Sequence, residues 1–422
     1  MLLLILATVG SAAASVTLPA PSVLNVKQGV VACYWETTYS FPELTTESIE
    51  ANLCNHMIYG TAKLDKTTWE LTHDNITMDI DLGGFRNVSE MKAQDPNLNV
   101  EISVNRNWRT PKEYFEMASD TAKRDTFIKS VVTFVTKHNF DGLHFHWGNP
   151  ESRIDLDEAR PKLTILLREL KTSLHLINKT LSIAVWSPLA SSIDKNFEVE
   201  NIYKEVDLVF LNAFHYYGNW FKKTGGFAPL YPGNATEPDE KYLNVDTSLK
   251  HMLKRKAIPC KTILVVTAKG SAFKLKNATE HGMGAPSIEG AVPSSFGEDP
   301  KFNEYCNKVQ PTGEWVRVWE EDMKVPYMYK GDEWLSYEDE QSVEAKVDYA
   351  EKQGLAGVAI NNLAYDDFKG RCNFSRRFPL VRLVKEKLRK AEDCNEAESA
   401  SSDHSSLALL LLLLATFVTF KV

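Results

Sequence analysis

The sequence of 422 residues lacks several features that mark particular classes of protein. It has no internal repeat and no C-x-x-C pair, which argues against a repeat array and a cysteine zinc site. Its net charge of −8, from 48 Lys and Arg against 56 Asp and Glu, argues against a nucleic-acid-binding protein. What is present is globular composition, 43% hydrophobic with 20 Phe, 15 Tyr and 9 Trp, which excludes a wholly disordered or fibrous chain.

The amino-terminal apolar run is typical of a secretory signal. Met1–Val9 is apolar and is followed by Ala12-Ala13-Ala14, the small residues that a signal peptidase recognises, although no basic residue precedes the run. Residues 1–14 are therefore interpreted as a signal peptide, and residues 15–394 as the mature folded region.

The carboxyl terminus has the composition of a lipid-anchor signal. Residues 395–422 contain a small and polar stretch followed by an apolar tail, Leu407–Phe420, with only two residues after it. This order predicts a glycosylphosphatidylinositol (GPI) anchor attached between Asn395 and Ser402, and hence a protein at the outer face of the plasma membrane. A short C-terminal transmembrane helix is the alternative interpretation.

Cysteines and glycosylation sequons agree with an extracellular location. The six cysteines are an even number, as an oxidising compartment favours, but their spacing alone permits fifteen pairings. Six N-x-S/T sequons predict a glycoprotein with sugar-bearing surface loops. They lie at Asn75, Asn87, Asn178, Asn234, Asn277 and Asn373.

Eight short β-branched, apolar runs alternate with segments of helical periodicity, a pattern that predicts parallel β/α units closing into a (β/α)8 TIM barrel. The runs are Val30–Trp35, His56–Tyr59, Leu98–Val104, Phe140–Trp147, Leu181–Trp186, Leu208–Phe214, Ile263–Ala268 and Leu355–Ile360. Residues 270–337 break the alternation with Gly, Pro and Ser and then with alternating polar and aromatic residues. They predict a small α+β insertion between the seventh strand and its helix.

Several ordered motifs give the chain a family resemblance. They include Val-Ala-Cys-Tyr-Trp (31–35), Leu-Cys-Asn-His-Met-Ile-Tyr (53–59), Phe-Asp-Gly-Leu-His-Phe-His-Trp (140–147) and Trp-Leu-Ser-Tyr-Glu-Asp (334–339). From about Val30 to Leu388 the sequence resembles the family 18 glycoside hydrolases, the chitinases and their non-enzymatic relatives. The resemblance implies the barrel with its insertion and the disulfides Cys33–Cys54 and Cys306–Cys372. We pair the remaining Cys260 with Cys394, since both are expected toward the bottom face of the barrel.

The fourth strand departs from the catalytic pattern of that family. The family motif is D-G-x-D-x-D-x-E, whose final Glu protonates the leaving oxygen while the substrate's own acetamido group attacks. In this sequence the first Asp is retained as Asp141, but the two inner acids are His144 and His146 and the proton donor is Gly148. The resemblance therefore implies a protein without chitinase activity.

Other positions that the family uses to hold sugar are also changed. The Tyr and Asp after the sixth strand correspond to Phe214 and His215, and the Trp of the eighth strand corresponds to Asn361. Of the usual sugar-contacting aromatic residues, Tyr34, Trp108 and Trp220 remain as candidate ligand-binding residues.

The replacements place three histidines in one predicted cavity. His144 and His146 share a face of the fourth strand, and the family alignment brings His215 to them. Three imidazoles would suit Zn²⁺ with a fourth position for water, which gives a metal-dependent hydrolase as an alternative function. The other interpretation is that the rings are polar core filling, with hydrogen bonds among themselves or to Asn212 or Asn361.

Three functional hypotheses follow from the sequence. The first is an inactive chitinase-like protein at the cell surface that binds glycans or chitin oligomers, or acts as a growth-factor-like signalling protein, without a cofactor. The second is the zinc-dependent hydrolase. The third is an ectodomain whose groove is vestigial and which binds a protein partner.

Overall fold

The computed structural model describes residues 29–36, 43–50, 52–105, 109–110, 112–150, 155–187, 190–233, 240–308, 313–372 and 376–388. The predicted signal peptide and the predicted anchor segment lie outside the described residues. Among the helices of these ranges, none combines the length and apolar character needed to cross a bilayer.

Eight parallel strands form a closed barrel, because the first strand pairs with both the second and the eighth. In chain order the strands are Val30–Glu36, His56–Leu64, Asn99–Val104, Gly142–His146, Thr180–Trp186, Leu208–Asn212, Thr262–Thr267 and Gly357–Asn361. We call them the first to the eighth barrel strand. The predicted (β/α)8 fold is confirmed.

Helices surround the barrel, and most of them bury an apolar face against it. Asp155 begins the longest one because its side chain accepts a hydrogen bond from the Asp157 amide at 2.9 Å. The leucines that recur with helical spacing from Leu163 to Leu174 are fully buried. The helices span Gly84–Glu90, Lys112–Ser119, Thr121–Lys137, Leu156–His175, Ala190–Asn196, Val199–Glu205, Val245–Lys254, Phe302–Tyr305, Glu340–Lys352 and Pro379–Lys387.

The core has two layers because alternate residues of each strand face opposite sides of the barrel wall. The outward-facing side chains and the helices form the large outer layer. A smaller apolar cluster fills the inside of the barrel and includes Ala32, Tyr34, Ile58, Phe210 and Val265. Strand alternation therefore fixes which polar side chains enter the barrel.

A second sheet of four antiparallel strands lies between the seventh barrel strand and helix Glu340–Lys352. Its strands pair in the spatial order Gly270–Lys274, Glu333–Tyr337, Val325–Lys330 and Val316–Glu320. We call residues 270–308 and 313–337, which hold this sheet and helix Phe302–Tyr305, the insertion domain.

The structure describes two complete disulfide bonds, one with a cysteine in the barrel and one with a cysteine in the insertion domain. Cys33 of the first barrel strand is bonded to Cys54, and Cys306 of the insertion domain is bonded to Cys372. These are the two pairings that the family resemblance implies. Cys260 is also disulfide-bonded, and Cys394, with which we pair it, lies outside the described residues.

Candidate functional site

The carboxyl ends of the barrel strands define the mouth of the barrel, where sites in this fold are built. The fourth strand, Gly142–His146, ends there and is followed by the buried residues Trp147 and Gly148. Gly148 has a φ of 63°, a left-handed conformation that glycine adopts readily. The position of the family's proton donor therefore carries no side chain.

Two residues at the start of this strand retain a structural role. The Asp141 carboxylate accepts a hydrogen bond from the Val100 amide at 3.0 Å and lies 2.9 Å from the Lys92 ammonium. A side chain at Gly142 would meet Thr180 of the neighbouring strand, since a Cβ there would lie 2.2 Å from its Oγ1. Asp141 and Gly142 thus fix the strand rather than take part in chemistry.

His144 is the centre of a hydrogen-bonded chain that crosses the inside of the barrel. Its Nε2 lies 3.0 Å from the Tyr34 hydroxyl, and its Nδ1 lies 2.7 Å from the Ser182 hydroxyl. The Ser182 hydroxyl donates its proton to Glu101, so it accepts from His144 Nδ1–H. His144 Nε2 then accepts a hydrogen bond from the Tyr34 hydroxyl, so both ring nitrogens have hydrogen-bond partners.

Glu101 ends this chain as a fully buried carboxyl group. One of its oxygens accepts a hydrogen bond from the Thr180 hydroxyl at 2.7 Å, and the other accepts from Ser182 and lies 3.4 Å from His56 Nε2. We call Tyr34, His144, Ser182, Glu101, Thr180 and His56 the barrel network. It holds polar groups together where water does not reach.

Burial keeps the two histidines of the fourth strand neutral. Burial lowers the pKa of His146 to about 4. Burial, with smaller contributions from His146 and His56, holds the pKa of His144 well below its usual value. Burial also raises the pKa of Tyr34 well above its usual value, helped by the carboxylates of Glu36 and Glu101. These rings can donate and accept hydrogen bonds, but near neutral pH they supply no charge.

Two buried polar atoms on the last residues of barrel strands have no hydrogen-bond partner among the described residues. They are His146 Nε2 and Asn212 Oδ1, on the fourth and sixth barrel strands. Both residues face inward, since Asn212 lies two residues after Phe210 and His146 two residues after His144, and the Phe210 and His144 rings are in contact inside the barrel at 4.8 Å. Asn105 supports the fourth strand by donating to the His146 carbonyl at 2.9 Å.

His215 is not brought together with His144 and His146. Its ring lies 5.0 Å from that of Trp220, and its Nε2 lies 3.5 Å from Asp299 of the insertion domain. Burial lowers its pKa, against the opposing effect of Asp299. Because both nitrogens of His144 are also occupied, the structure does not support the three-histidine zinc site. Among the described residues, no three His, Cys, Asp or Glu side chains are placed to hold a metal ion.

The alternative interpretation, in which the rings are polar core filling, agrees with the contact between the two rings. His144 and His146 are edge-to-face at 4.9 Å, as polar core filling requires. The hydrogen-bond partners of His144 are Tyr34 and Ser182 rather than Asn212 or Asn361. Asn361 ends the eighth barrel strand half-buried, and its carbonyl accepts from the Ala268 amide at 3.0 Å.

The candidate sugar-contacting aromatics have different surroundings. Tyr34 is only 1% exposed, and its hydroxyl is hydrogen-bonded within the barrel network. Trp220 is 45% exposed. Phe214 packs edge-to-face with Trp186 at 5.1 Å, and both rings are half-buried. Trp108 lies outside the described residues.

The sequence motifs do not identify four residues that the structure places at the site, which are Glu101, Ser182, Trp186 and Asp299. A signal for Glu101 was available, because it is the one carboxyl group in the strand Asn99–Val104, whose side chains are all buried. A buried carboxyl group needs partners, which predicts polar side chains on the adjacent strand. Asp299 gave no such signal, because it lies in the insertion domain, far from His215 in sequence.

The protein has a parallel barrel with an inserted sheet, and its fourth strand keeps the first acid of the catalytic motif but not the later ones. These features place it in the class of glycoside hydrolase barrels. The match to the model for glycosyl hydrolases family 18 covers residues 30–366. The chain therefore belongs to family 18 of the glycosyl hydrolases.

Relatives within the family include proteins named as enzymes and one described as a pseudo-enzyme. The chain is 27% identical to the endochitinase of Manduca sexta over 350 residues, which cover 80% of this chain and 63% of that protein. It is 27% identical to human chitinase-3-like protein 2 over 372 residues, 85% of this chain and 92% of that protein. The structure of human YKL-39, described as a pseudo-chitinase with retained chitooligosaccharide binding, has a TM-score of 0.77 and 25% identity over 85% of this chain and 99% of that one.

Proposed function

We propose that this protein is a non-catalytic chitinase-like glycoprotein of the cell surface that binds a glycan at the barrel mouth. The observation that carries the proposal is Gly148, which stands where the family has its glutamic acid proton donor. Loss of a general acid alone slows a reaction by about 10² to 10⁴. His144, His146, Phe214 and His215 remove the remaining groups of that chemistry.

Glycan binding is supported by what remains at the mouth. The half-exposed indole of Trp220 and the aromatic pair of Trp186 and Phe214 offer apolar faces of the kind on which sugar rings pack. The unpartnered atoms of His146 and Asn212 offer an imidazole nitrogen and an amide oxygen for ligand hydroxyl or amide groups. The retained chitooligosaccharide binding of human YKL-39 supports chitin oligomers as the first ligands to test.

The cell-surface part of the proposal is supported by the sequence and the disulfides. Two described disulfides are expected in a protein folded in an oxidising compartment. The sequons at Asn75, Asn178 and Asn277 place the asparagine in an exposed position. The apolar tail after residue 406 is the observation that supports a GPI anchor rather than release.

We expect the purified protein to cleave a chitin-oligomer substrate at least about a hundredfold more slowly than an active family 18 chitinase assayed beside it. Gly148→Glu should not restore cleavage. The other acids are absent, and a φ of 63° is strained for glutamate. Release of reducing ends is measured with and without chelator. Cleavage at the rate of the active enzyme in chelator would contradict the proposal. Cleavage abolished by chelator would instead revive a metal-dependent reaction.

We expect chitin oligomers to bind the wild-type protein, and Trp220→Ala to weaken binding about fivefold or more through loss of the stacking surface. Binding is measured by titration calorimetry with a chitotetraose. The control is Trp69→Ala, since Trp69 packs under Lys123 and against the outer layer of the core rather than beside Trp220. Thermal unfolding of both variants confirms that they are folded. Equal losses in the two variants would argue against the mouth as the site, and no binding by wild type would favour a vestigial groove.

A further inference from the structure

Exposed apolar side chains are concentrated in two short segments of the surface. Ten large apolar side chains are exposed among the described residues, and five of them belong to these segments. They are Ile76, Ile80 and Leu82, with exposed fractions of 62%, 41% and 48%, and Leu176 and Ile177, with 66% and 36%. Each segment contains an N-x-T sequon, at Asn75 or at Asn178.

The first segment is a single helical turn, Thr77–Asp81, that follows the sequon asparagine. Ile76 and Ile80 are four residues apart and therefore lie on the same face of the turn. Asn75 is exposed, and its Oδ1 accepts from the Met78 amide at 3.2 Å, which ties it to the start of the turn. A sugar on Asn75 would be attached directly beside these two isoleucines.

The second segment connects a helix to the fifth barrel strand. Leu176 and Ile177 follow the end of helix Leu156–His175, and Asn178 adopts a φ of 56°, a conformation that asparagine tolerates. Asn178 is exposed and is the next residue after the two apolar side chains. The sequon again adjoins the apolar surface.

The other described sequons differ in this respect. Asn87 is half-buried, and its apolar neighbours Phe85 and Val88 are buried. Asn277 is exposed, but its apolar neighbour Leu275 is buried. Of the four sequons that the structure describes, two therefore adjoin exposed aliphatic side chains, and Asn277 supplies a matched control.

We propose that N-linked glycans on Asn75 and Asn178 cover these apolar side chains and keep the two segments from self-association. The inference rests on the proposed passage of the chain through the secretory route, and not on glycan binding at the mouth. Clustered exposed apolar side chains favour association between molecules, whereas a glycan is bulky and solubilising. Each apolar segment is covered by the sugar attached to the asparagine of the sequon in that segment.

The test uses the full chain secreted from a eukaryotic cell, with glycan occupancy read by peptide mass spectrometry. Thr77→Ala removes the Asn75 sequon and leaves the asparagine in place, whereas Thr77→Ser keeps the sequon. We expect Thr77→Ala to raise binding of an apolar dye at least about twofold and to increase light scattering, with Thr77→Ser like wild type. Thr279→Ala, which removes the Asn277 sequon, should change neither reading.

Two further variants complete the test. Ile76→Lys and Ile80→Lys together, added to Thr77→Ala, should return dye binding to the wild-type level. Asn178→Asp tests the second segment, because Thr180 cannot be changed without breaking its hydrogen bond to Glu101. If Thr77→Ala is not secreted, enzymatic deglycosylation of the folded wild-type protein gives the same reading. An unoccupied Asn75, or equal dye binding by Thr77→Ala and Thr77→Ser, would overturn the proposal for the first segment.

Discussion

Glu101→Leu is expected to lower the free energy of unfolding by about 3 kcal/mol or more. The substitution replaces the carboxyl group with an apolar side chain of similar size, so the buried hydroxyls of Ser182 and Thr180 lose their carboxyl acceptor. Each buried polar group left unsatisfied costs about 1 to 3 kcal/mol. Urea unfolding followed by tryptophan fluorescence measures the difference.

Glu101→Gln is the matched control for this prediction. The amide preserves the shape of the carboxyl group and can still accept one hydrogen bond, so we expect a smaller loss, of about 1 to 2 kcal/mol. The ordering of the two variants is the decisive result. If the free energy of unfolding of Glu101→Leu lies within about 1 kcal/mol of the wild-type value, the hydrogen bonds of the barrel network do not stabilise the protein as their distances imply.

The architecture could be predicted from the sequence because it depends on short-range patterns. Each of the eight barrel strands coincides with a β-branched run, and the face from Leu163 to Leu174 lies buried against the barrel as its 3.6-residue period requires. Gly148 could be identified because the motif around it is retained from Asp141 onward. Both inferences use residues adjacent in sequence.

The arrangement of the site could not be predicted in the same way. Strand alternation correctly directs Tyr34 and His144 into the barrel, but it does not say that their side chains bond to each other and leave Tyr34 covered. His215 follows the end of its strand, where alternation no longer applies, and a φ of 62° there changes the course of the backbone. Its partner Asp299 comes from the insertion domain, and no local pattern joins the two.

The barrel network explains how the acidic side chains of the family motif can be replaced while the barrel stays folded. A carboxylate directed inward needs partners that stabilise its charge. In this chain the inward positions of the fourth strand carry neutral imidazoles, and the carboxyl group inside the barrel is Glu101 of the third strand, held by two hydroxyls. The hydroxyls of the barrel network thus bond to groups inside the barrel rather than at the mouth.

We expect the protein to lose stability in mild acid because of the same histidines. In the folded chain, burial lowers the pKa of His146 to about 4 and that of His144 well below its usual value. In the unfolded chain both rings titrate near 6.5. From about pH 6.5 down to about 4, the unfolded chain therefore binds protons that the folded chain does not, and the free energy of unfolding falls as the pH falls. Above pH 6.5 this contribution is fully present.

The contribution of His146 to this pH dependence can be distinguished from that of the carboxyl groups that also titrate in acid. The shift of His146 alone corresponds to a loss of up to about 3 kcal/mol between pH 7 and pH 4. His146→Gln carries no titrating group and keeps the backbone carbonyl to which Asn105 donates, so its stability should fall less steeply over this range. Urea midpoints at several pH values give both slopes. Parallel slopes for wild type and His146→Gln would show that the imidazole is protonated in the folded barrel without cost, contrary to its burial.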